Sequence, residues 1–390
     1  MTLVILDPGL HMIAGHHFEL DTALVDAAAA LGAPGHIFCH RTNNPHLNDH
    51  PQITPFFDVL GGASTTDPML TDLDRFLLEN ERVYGDLQRL SDVVDMEGSV
   101  LFYATARLHS LTGIGRWVQG WRTAPRHLFV LLPEYYIFAL EGGVGTLDQL
   151  FYRYGFAQFP PEHAGRITFL TLSKRQVSEY GRISGRRIIQ CPYPVGEISG
   201  RLSAQPSVFE PSLRRRIVVV GTSRNSKGFD LLPAVIRQVL ATRTDAEFVV
   251  QYCPTEEVSA EAIALKSSGA TIIEGYLDRA SYHGVIRSAD IVLLPYVGPG
   301  YRIQTSAVFC EARWFGRPSV VSAETSMADD IEEDPRLGIA AAADPAALAA
   351  AIGRMLDDYP SYARGAEAAA APYRQQHGTS RMAALMLGRD

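Results

Sequence analysis

The sequence has few cysteines, and their spacing excludes two common kinds of site. Cys39, Cys191, Cys253 and Cys310 lie far apart, and no C-x-x-C pair is present. This spacing suits neither a zinc site nor a disulfide framework, and it favours a reducing compartment.

The sequence also lacks a long apolar run and an excess of positive charge. No stretch approaches the roughly 20 apolar residues of a spanning helix, and no basic leader precedes an apolar core. The formal net charge of −8 argues against a nucleic-acid partner. We therefore predict a cytoplasmic protein, with contact at the inner face of the cell membrane as an open alternative. Its oligomeric state is not predicted.

What the sequence does contain is a repeated alternation of short apolar runs and helix-length amphipathic segments, which is typical of α/β units. It is interrupted by the Pro-, Gly- and Ser-rich stretch "PVGEISGRLSAQPSVFEPSL". We predict a Rossmann-like domain over 1–198, a linker over 199–213 and a second Rossmann-like domain over 214–362. A helical segment over 363–390 is expected to pack back toward the first domain. The two domains should face each other across a cleft.

The loop "GTSRNSKGFD" (221–230) follows the apolar strand "RIVVV" and has the residues of an anion site. It is not a P-loop, because Lys227 precedes Gly228 and Phe229 replaces the hydroxyl residue that binds magnesium. Arg224 and Lys227 lie where a strand enters a helix, so backbone amides and two cations could bind a diphosphate. Two solvated surface charges are the alternative. The helix that follows should bury one stripe, formed by Phe229, Leu232, Val235, Ile236, Val239 and Leu240.

A second group of candidate residues lies in "PYVGPGYRIQTSAVFCEARWFGRPSVV" (295–321). Ser306 is a good helix N-cap, and the free amides of Ser306 and Ala307 should face the same cleft as Lys227. Glu311 lies inside this helix, where its carboxylate could accept two ribose hydroxyls. An ordinary helix glutamate on a wet face is the alternative.

From about residue 214 to 360 the chain resembles the nucleotide-sugar-binding domain of retaining GT-B glycosyltransferases of the family 4 type. The resemblance rests on "VGTSRNSKGFDLL", "TIIEGYLDRASYHGVIRSADIVLLPY", "FCEARWFGRPSVVS" and "GIAAAADPAALAAAI", in family order and spacing. It implies that Arg224 and Lys227 bind the donor diphosphate and act catalytically. It also implies that Glu311 holds the donor ribose and that Tyr276 lies beside the base.

One position departs from the family pattern. The family usually has a second glutamate eight positions before the residue that Glu311 resembles, and this chain has Ile303 there. Its polar neighbours could substitute, with Tyr301 and Arg302 as donor-binding candidates and Gln304 and Thr305 beside them. The departure indicates a divergent subgroup and leaves the sugar open.

The first half resembles the family less closely. In "HMIAGHHFELDTALVDAAAALG", Gly15 would allow the backbone to approach the donor, and His16 or His17 would contact phosphate or acceptor. A loop histidine bonded to backbone is the alternative for either. Glu134, after the strand "HLFVLLP", is a further candidate for contact with the sugar or acceptor.

The resemblance implies transfer of a sugar from a nucleotide-sugar donor to a glycan or lipid-linked acceptor, in polysaccharide or glycan biosynthesis. No cofactor or metal is expected, because protein cations would take the metal's role and no Asp-x-Asp motif follows a predicted strand. A non-hydrolysing nucleotide-sugar epimerase using Glu134 and Glu141, and an inactive binding protein, remain alternatives. The stretch "GIGRWVQGWRTAPRH" (113–127) could rest on an anionic membrane or pack its tryptophans inward.

Overall fold

The chain folds into two compact units, each built on one parallel sheet. The computed structural model describes residues 1–13, 16–59, 69–133, 147–194, 213–254 and 264–389. Unit 1 comprises Met1–Ile198 and His377–Asp390, and unit 2 comprises Ser199–Gln376. Most of the predicted linker lies outside the described residues. The candidate residues Gly15, Glu134 and Glu141 also lie outside them.

Unit 1 contains a seven-stranded sheet in the order β3-β2-β1-β4-β5-β6-β7, and all its neighbouring strands are parallel. Apolar side chains cover both faces, as expected of a parallel sheet between helices. Its strands are β1 Thr2–Asp7, β2 Gly35–His40, β3 Ile53–Phe57, β4 Ser99–Tyr103, β5 His127–Leu131, β6 Ile167–Thr171 and β7 Ile188–Gln190.

The helices of unit 1 come from both parts of the chain. Met382 and Met386, from the last helix, are buried in the same apolar cluster as Leu24 and Val25 of the first. The described helices are α1 His16–Ala30, α2 Asp72–Leu90, α3 Leu108–Gln119, α4 Leu147–Ala157, α5 Lys174–Ser184 and, after unit 2, α12 Thr379–Met386.

Unit 2 contains a six-stranded parallel sheet in the order β10-β9-β8-β11-β12-β13. Its strands are β8 Arg215–Val219, β9 Ala246–Tyr252, β10 Thr271–Glu274, β11 Ile291–Leu294, β12 Ser319–Ser322 and β13 Gly338–Ala341. Its described helices are α6 Leu232–Thr242, α7 Arg279–Ser288, α8 Ala307–Trp314, α9 Ser326–Glu333, α10 Pro345–Asp357 and α11 Tyr359–Gln376.

The predicted alternation of strands and helices is confirmed in both units, with two strands missed. Strand β3 contains Pro55, which lacks the N–H of a central strand, and β3 accordingly lies at the edge of its sheet. Strand β13 was the other omission. The predicted stripe after Lys227 is buried except for Leu240, which is half-buried. The sequence pattern also predicts a helix over 256–267, and this range falls mostly outside the described residues.

The tryptophans of the segment 113–127 pack inward. Trp117 is buried and its Nε1–H donates to Ser91 Oγ at 2.8 Å, while Trp121 is half-buried and meets Trp117 edge-on. This favours the packing interpretation over the membrane interpretation. No helix in the described ranges combines the length and the apolar character needed to cross a bilayer.

Candidate functional site

The predicted donor residues of unit 2 lie in loops that leave the carboxyl ends of neighbouring strands. Arg224 and Lys227 follow β8, Tyr276 follows β10, and Tyr301 and Ser306 follow β11. Since parallel strands end at the same edge of a sheet, these loops emerge together at the edge where open α/β sheets bind ligands.

The loop after β8 is held in shape by a glycine and by the loop after β11. Gly228 has a φ of +67°, and a Cβ there would overlap the carbonyl oxygen of Pro295. The carbonyl of Ser226 accepts the N–H groups of Val297 and Gly298 at 3.1 and 2.8 Å. The two loops are therefore joined by hydrogen bonds, and Lys227 lies in the 3-10 turn Asn225–Lys227 of the first loop.

Lys227 is a cation in a poorly solvated position. Its Nζ donates to Thr222 Oγ1 at 3.2 Å and lies 5.9 Å from the ring centroid of Tyr296. Burial, with the positive charge of Arg224, lowers the pKa of Lys227 to about 8. Within the described parts of the chain no carboxylate forms an ion pair with it. A half-buried cation with a second positive charge nearby indicates a site that an anion completes.

Gln251 was not predicted, although it connects the loops after β8 and β10. Its side-chain oxygen accepts the N–H of Gly221, and its amide group donates to the carbonyl of Gly275, both at 2.9 Å. Gln251 is buried in β9, so this polar contact is shielded from water. A polar residue near the end of the otherwise apolar run "FVVQY" was the available signal.

The first two residues at the start of α8 differ in their exposure to solvent. Ser306 is buried, its hydroxyl donates to Tyr296 Oη at 3.4 Å, and it makes no side-chain cap, while Ala307 is exposed. Tyr301 packs against Tyr296 with ring centroids 4.3 Å apart. The amides at this helix start remain the predicted anion donors.

Of the polar residues proposed to replace the absent glutamate, Arg302 and Thr305 have side-chain contacts, whereas the contact of Gln304 is through its backbone. Ile303 is buried, and exposed Arg302 pairs with Glu324 at 3.0 Å. The Gln304 carbonyl accepts the Ser326 hydroxyl at 2.7 Å, and Thr305 Oγ1 lies 3.7 Å from the sulfur of Cys310. If Arg302 took the role of the absent glutamate in binding the sugar, it would have to give up its ion pair with Glu324.

Glu311 lies at the centre of a buried polar cluster. It is 2% exposed, and its carboxylate accepts the Tyr282 hydroxyl at 2.8 Å and pairs with Arg279 at 3.0 Å and His283 at 3.4 Å. Burial, with the negative charge of Glu311, raises the pKa of Tyr282 well above its usual value. The wet-face alternative is therefore wrong. A ribose bound by Glu311 would have to replace or share one of these partners.

Tyr276 has the exposure that a contact to a ligand base requires. It follows Gly275, whose φ is +85°, and it is 76% exposed. A large exposed aromatic side chain beside the loops of Lys227 is available for stacking.

Unit 1 has a polar group of its own at the end of β1. Nδ1 of His17 lies 2.6 Å from Oδ2 of the buried Asp7, so the alternative of a histidine bonded only to backbone is wrong for His17. Asp21 follows His17 by one helical turn and is also buried. Neither aspartate was predicted, although the four-residue spacing of His17 and Asp21 was a signal. The side chain of His16 lies outside the described residues.

No group of three or more His, Cys, Asp or Glu side chains that could hold a metal ion occurs in the ranges that the structure describes. The free cysteines are buried and separate.

Comparison with known proteins identifies the second unit. Residues 214–358 match the family model "Glycosyl transferases group 1". No curated protein matches the sequence.

Solved structures match along the whole chain. Sucrose-phosphate synthase from Thermosynechococcus elongatus covers 100% of this chain and 98% of its own, at 17% identity and a TM-score of 0.65. The E. coli trehalose-6-phosphate protein bound with UDP-2-fluoro glucose covers 100% and 98%, at 12% identity and 0.68. The HepE protein of Anabaena in complex with UDP covers 100% and 99%, at 13% identity and 0.64. These likenesses show the fold.

Proposed function

Since residues 214–358 match the family model "Glycosyl transferases group 1" and the whole chain has the GT-B fold, we propose that it transfers a sugar from a nucleoside diphosphate donor to an acceptor hydroxyl. Retention of the anomeric configuration follows from the family's chemistry. Two of the structural relatives carry UDP or a UDP-sugar, so a uridine donor is the first candidate. The acceptor would be a glycan or lipid-linked hydroxyl.

The observation that carries this proposal is the environment of Lys227. The half-buried ammonium of Lys227, with its pKa lowered to about 8 and the positive charge of Arg224 nearby, destabilises the ligand-free protein. A diphosphate would supply the missing negative charge. Arginine can bind it through two parallel hydrogen bonds, and lysine can bind it through its compact ammonium charge. The exposed side chain of Arg224 is accessible to such a ligand.

The same groups provide the catalytic step. Cleavage of the bond between sugar and phosphate builds negative charge on the leaving diphosphate, and Arg224, Lys227 and the amides at Ser306 and Ala307 would stabilise it. The leaving phosphate would accept the proton of the acceptor hydroxyl, so a dedicated protein base is not required. A metal ion is not needed for charge stabilisation in this scheme, and transfer should therefore continue in the presence of a chelator.

Other residues would orient the donor. Tyr276 would stack on the base, and Glu311 would hold the ribose by exchanging one of its partners. Gln251 would keep the loop of Lys227 and the loop of Tyr276 at the right separation.

A thermal-shift panel of UDP-, GDP-, ADP- and TDP-sugars tests the donor site. We expect one nucleotide to stabilise the wild type and Lys227→Ala to weaken its binding about 10- to 100-fold, the effect of a lost charge-assisted hydrogen bond. The matched control is Arg237→Ala, an exposed cation on α6. Equal shifts in all three proteins would place the donor elsewhere.

A binding protein without transferase activity is the second candidate. Its basis is the buried Ile303 at the position of the absent glutamate. Such a protein would show the nucleotide shift but would release no nucleoside diphosphate in the presence of donor and acceptor extracts. Diphosphate release that depends on Lys227 would rule it out.

A further inference from the structure

The side chain of Tyr296 is buried between three elements of the candidate donor site. It follows β11, and the centroid of its ring lies 5.9 Å from Nζ of Lys227. The ring of Tyr301, from the 3-10 turn Pro299–Arg302, meets it with 4.3 Å between the centroids. Its hydroxyl accepts the hydroxyl of Ser306 at the start of α8. The proposed reaction gives this side chain no role.

The backbone on both sides of Tyr296 is fixed to the loop of Lys227. Before it, the carbonyl oxygen of Pro295 lies so close to Gly228 that a Cβ on that glycine would overlap it. After it, the N–H of Val297 donates to the carbonyl of Ser226 at 3.1 Å. The fold therefore sets the position of the ring relative to the loop that carries the ammonium.

The ammonium of Lys227 is confined as well. It donates to Thr222 Oγ1 at 3.2 Å, and a Cβ added to Gly221 would be 3.0 Å from Nζ. An ammonium has three N–H groups, and within the residues that the structure describes Lys227 uses one of them for a hydrogen bond. The ring of Tyr296 thus borders the ammonium without taking up the N–H groups that a phosphate needs.

Tyr296 acts on the ammonium as a neutral ring. Burial, with the neighbouring Tyr301, raises the pKa of Tyr296 well above its usual value, so a phenolate does not form near neutral pH. The face of a neutral aromatic ring is negative, and it attracts a cation within about 6 Å of its centre. The attraction is stronger where water is excluded, and Lys227 is half-buried.

We propose that Tyr296 is a positioning residue for Lys227, whose ring holds the ammonium beside Gly221 and leaves its other N–H groups to the diphosphate. This inference rests on the proposed transferase function. A carboxylate in the same place would compete with the phosphate for the ammonium, whereas the face of a ring does not. Through the hydroxyl of Ser306 the same side chain also contacts the start of α8, so the cation and the helix amides are held together.

Replacement of the ring tests the attraction in the ligand-free protein. Tyr296→Leu should lower the pKa of Lys227 by about 0.5 pH unit or more, the size expected of a lost cation–π contact. Tyr296→Phe keeps the ring and should leave this pKa unchanged. The measurement is titration of the carbon-13 methyl resonance of Lys227 after reductive methylation, in a chain with three lysines.

The matched control is Tyr359→Leu. Tyr359 is also a buried tyrosine of unit 2, and its ring centroid lies 4.1 Å from the guanidinium carbon of Arg215. Because Arg215 begins β8 and Lys227 follows its end, this variant loses a similar contact at the opposite end of the strand. It should leave the pKa of Lys227 unchanged. A shift equal to that of Tyr296→Leu would show a general effect of destabilisation and would overturn the inference.

A graded series covers the case in which leucine disturbs the loop. Fluorinated analogues of phenylalanine, introduced in place of Tyr296, keep the shape of the Tyr296→Phe variant and remove negative charge from the face of the ring. The pKa of Lys227 should fall in steps as the number of fluorine atoms rises. A constant pKa across the series would refute the attraction.

Ligand binding tests the positioning role. At about pH 6.5 the ammonium of Lys227 is charged in all these variants, so a loss of affinity there does not come from a missing proton. The ligand is the nucleoside diphosphate of the sugar donor that the thermal-shift panel selects. We expect Tyr296→Leu to raise its Kd about fivefold and Tyr296→Phe to stay within about twofold of wild type. Equal Kd values for wild type and Tyr296→Leu would contradict the positioning role.

The outcomes separate this inference from the proposed function. The titrations use no ligand, so they decide whether the ring acts on Lys227 even in a protein that binds no nucleotide. If Tyr296→Phe and Tyr296→Leu lower the pKa equally, the hydroxyl is the acting group and the assignment to the ring is wrong. A wild type without a nucleotide-induced thermal shift refutes the proposed function, whatever the titrations show.

Discussion

The depressed pKa of Lys227 predicts that donor binding weakens as the pH rises through about 8. Below about pH 8 the ammonium of Lys227 is charged in the free protein, and above it the proton is lost. The ordinary pKa of a lysine is 10.5. A bound diphosphate favours the charged form, so the complex must recover the proton at high pH. Affinity therefore falls with rising pH, and the loss begins near the pKa of the free protein.

The magnitude follows from the shift. With a pKa of about 8 in the free protein and an ordinary or higher value in the complex, Kd should be about 30-fold larger at about pH 9.5 than at about pH 7. The same shift means that the charged lysine destabilises the ligand-free fold below about pH 8, by about 3 kcal/mol. This cost decreases as the pH rises from about 8 to the ordinary lysine value.

The assay is calorimetric titration of the nucleoside diphosphate between about pH 7 and about pH 9.5. Lys227→Arg is the control, because arginine stays charged throughout this range. The ratio of the two affinities removes any pH dependence of the ligand itself. The reasoning is refuted if wild type and Lys227→Arg lose affinity in parallel.

The ammonium can also be observed directly. The chain has three lysines, Lys174, Lys227 and Lys266, so carbon-13 reductive methylation gives few resonances. We expect one of them to titrate near pH 8, to be absent from Lys227→Arg, and to move upward on addition of nucleoside diphosphate. Three resonances that all titrate at ordinary lysine values would contradict the structure.

Three further predictions concern the scaffold of the site. Gly228→Ala should destabilise unit 2 by about 2 kcal/mol or more in urea unfolding, because Gly228 has a positive φ and no space for a Cβ. The control is Gly353→Ala in α10, where nothing lies near the Cβ position, and it should stabilise unit 2 by about 0.5–1 kcal/mol. Gln251→Leu should weaken nucleotide binding about tenfold in calorimetry, since two backbone groups lose their bridge, and unchanged affinity would remove Gln251 from the site. Glu311→Gln should cost about 3 kcal/mol in thermal unfolding, because Arg279 loses its buried carboxylate, and a much smaller loss would show that this ion pair contributes little.

Sequence reasoning located the strand and the helix on either side of the Lys227 loop because the signal there is local. The loop of Lys227 was predicted because a buried strand, a glycine and two cations stand together in the chain. Strand β3 was missed because Pro55 argues against a strand until its place at the sheet edge is known. Alternation alone therefore predicts interior strands more securely than edge strands.

The features that required tertiary contacts were not predictable in the same way. The low pKa of Lys227 depends on burial near Tyr296, which belongs to another strand end. Gln251 has its role because β9 lies between β8 and β10. Asp7 and His17 meet only because α1 packs against its own sheet.

The assembly of unit 1 from two separate stretches of chain has a consequence for synthesis. The backbone of Tyr193 is bonded to His377 and Gly378, and α12 lies on α1. A nascent chain that has just completed unit 2 still leaves the apolar surface beneath α12 uncovered on the ribosome. Unit 2 is therefore inserted between the two parts of unit 1 and can fold before unit 1 is complete, whereas unit 1 needs α12 to complete its core. Truncation of the chain after Gln376 should therefore lower the stability of unit 1 more than that of unit 2.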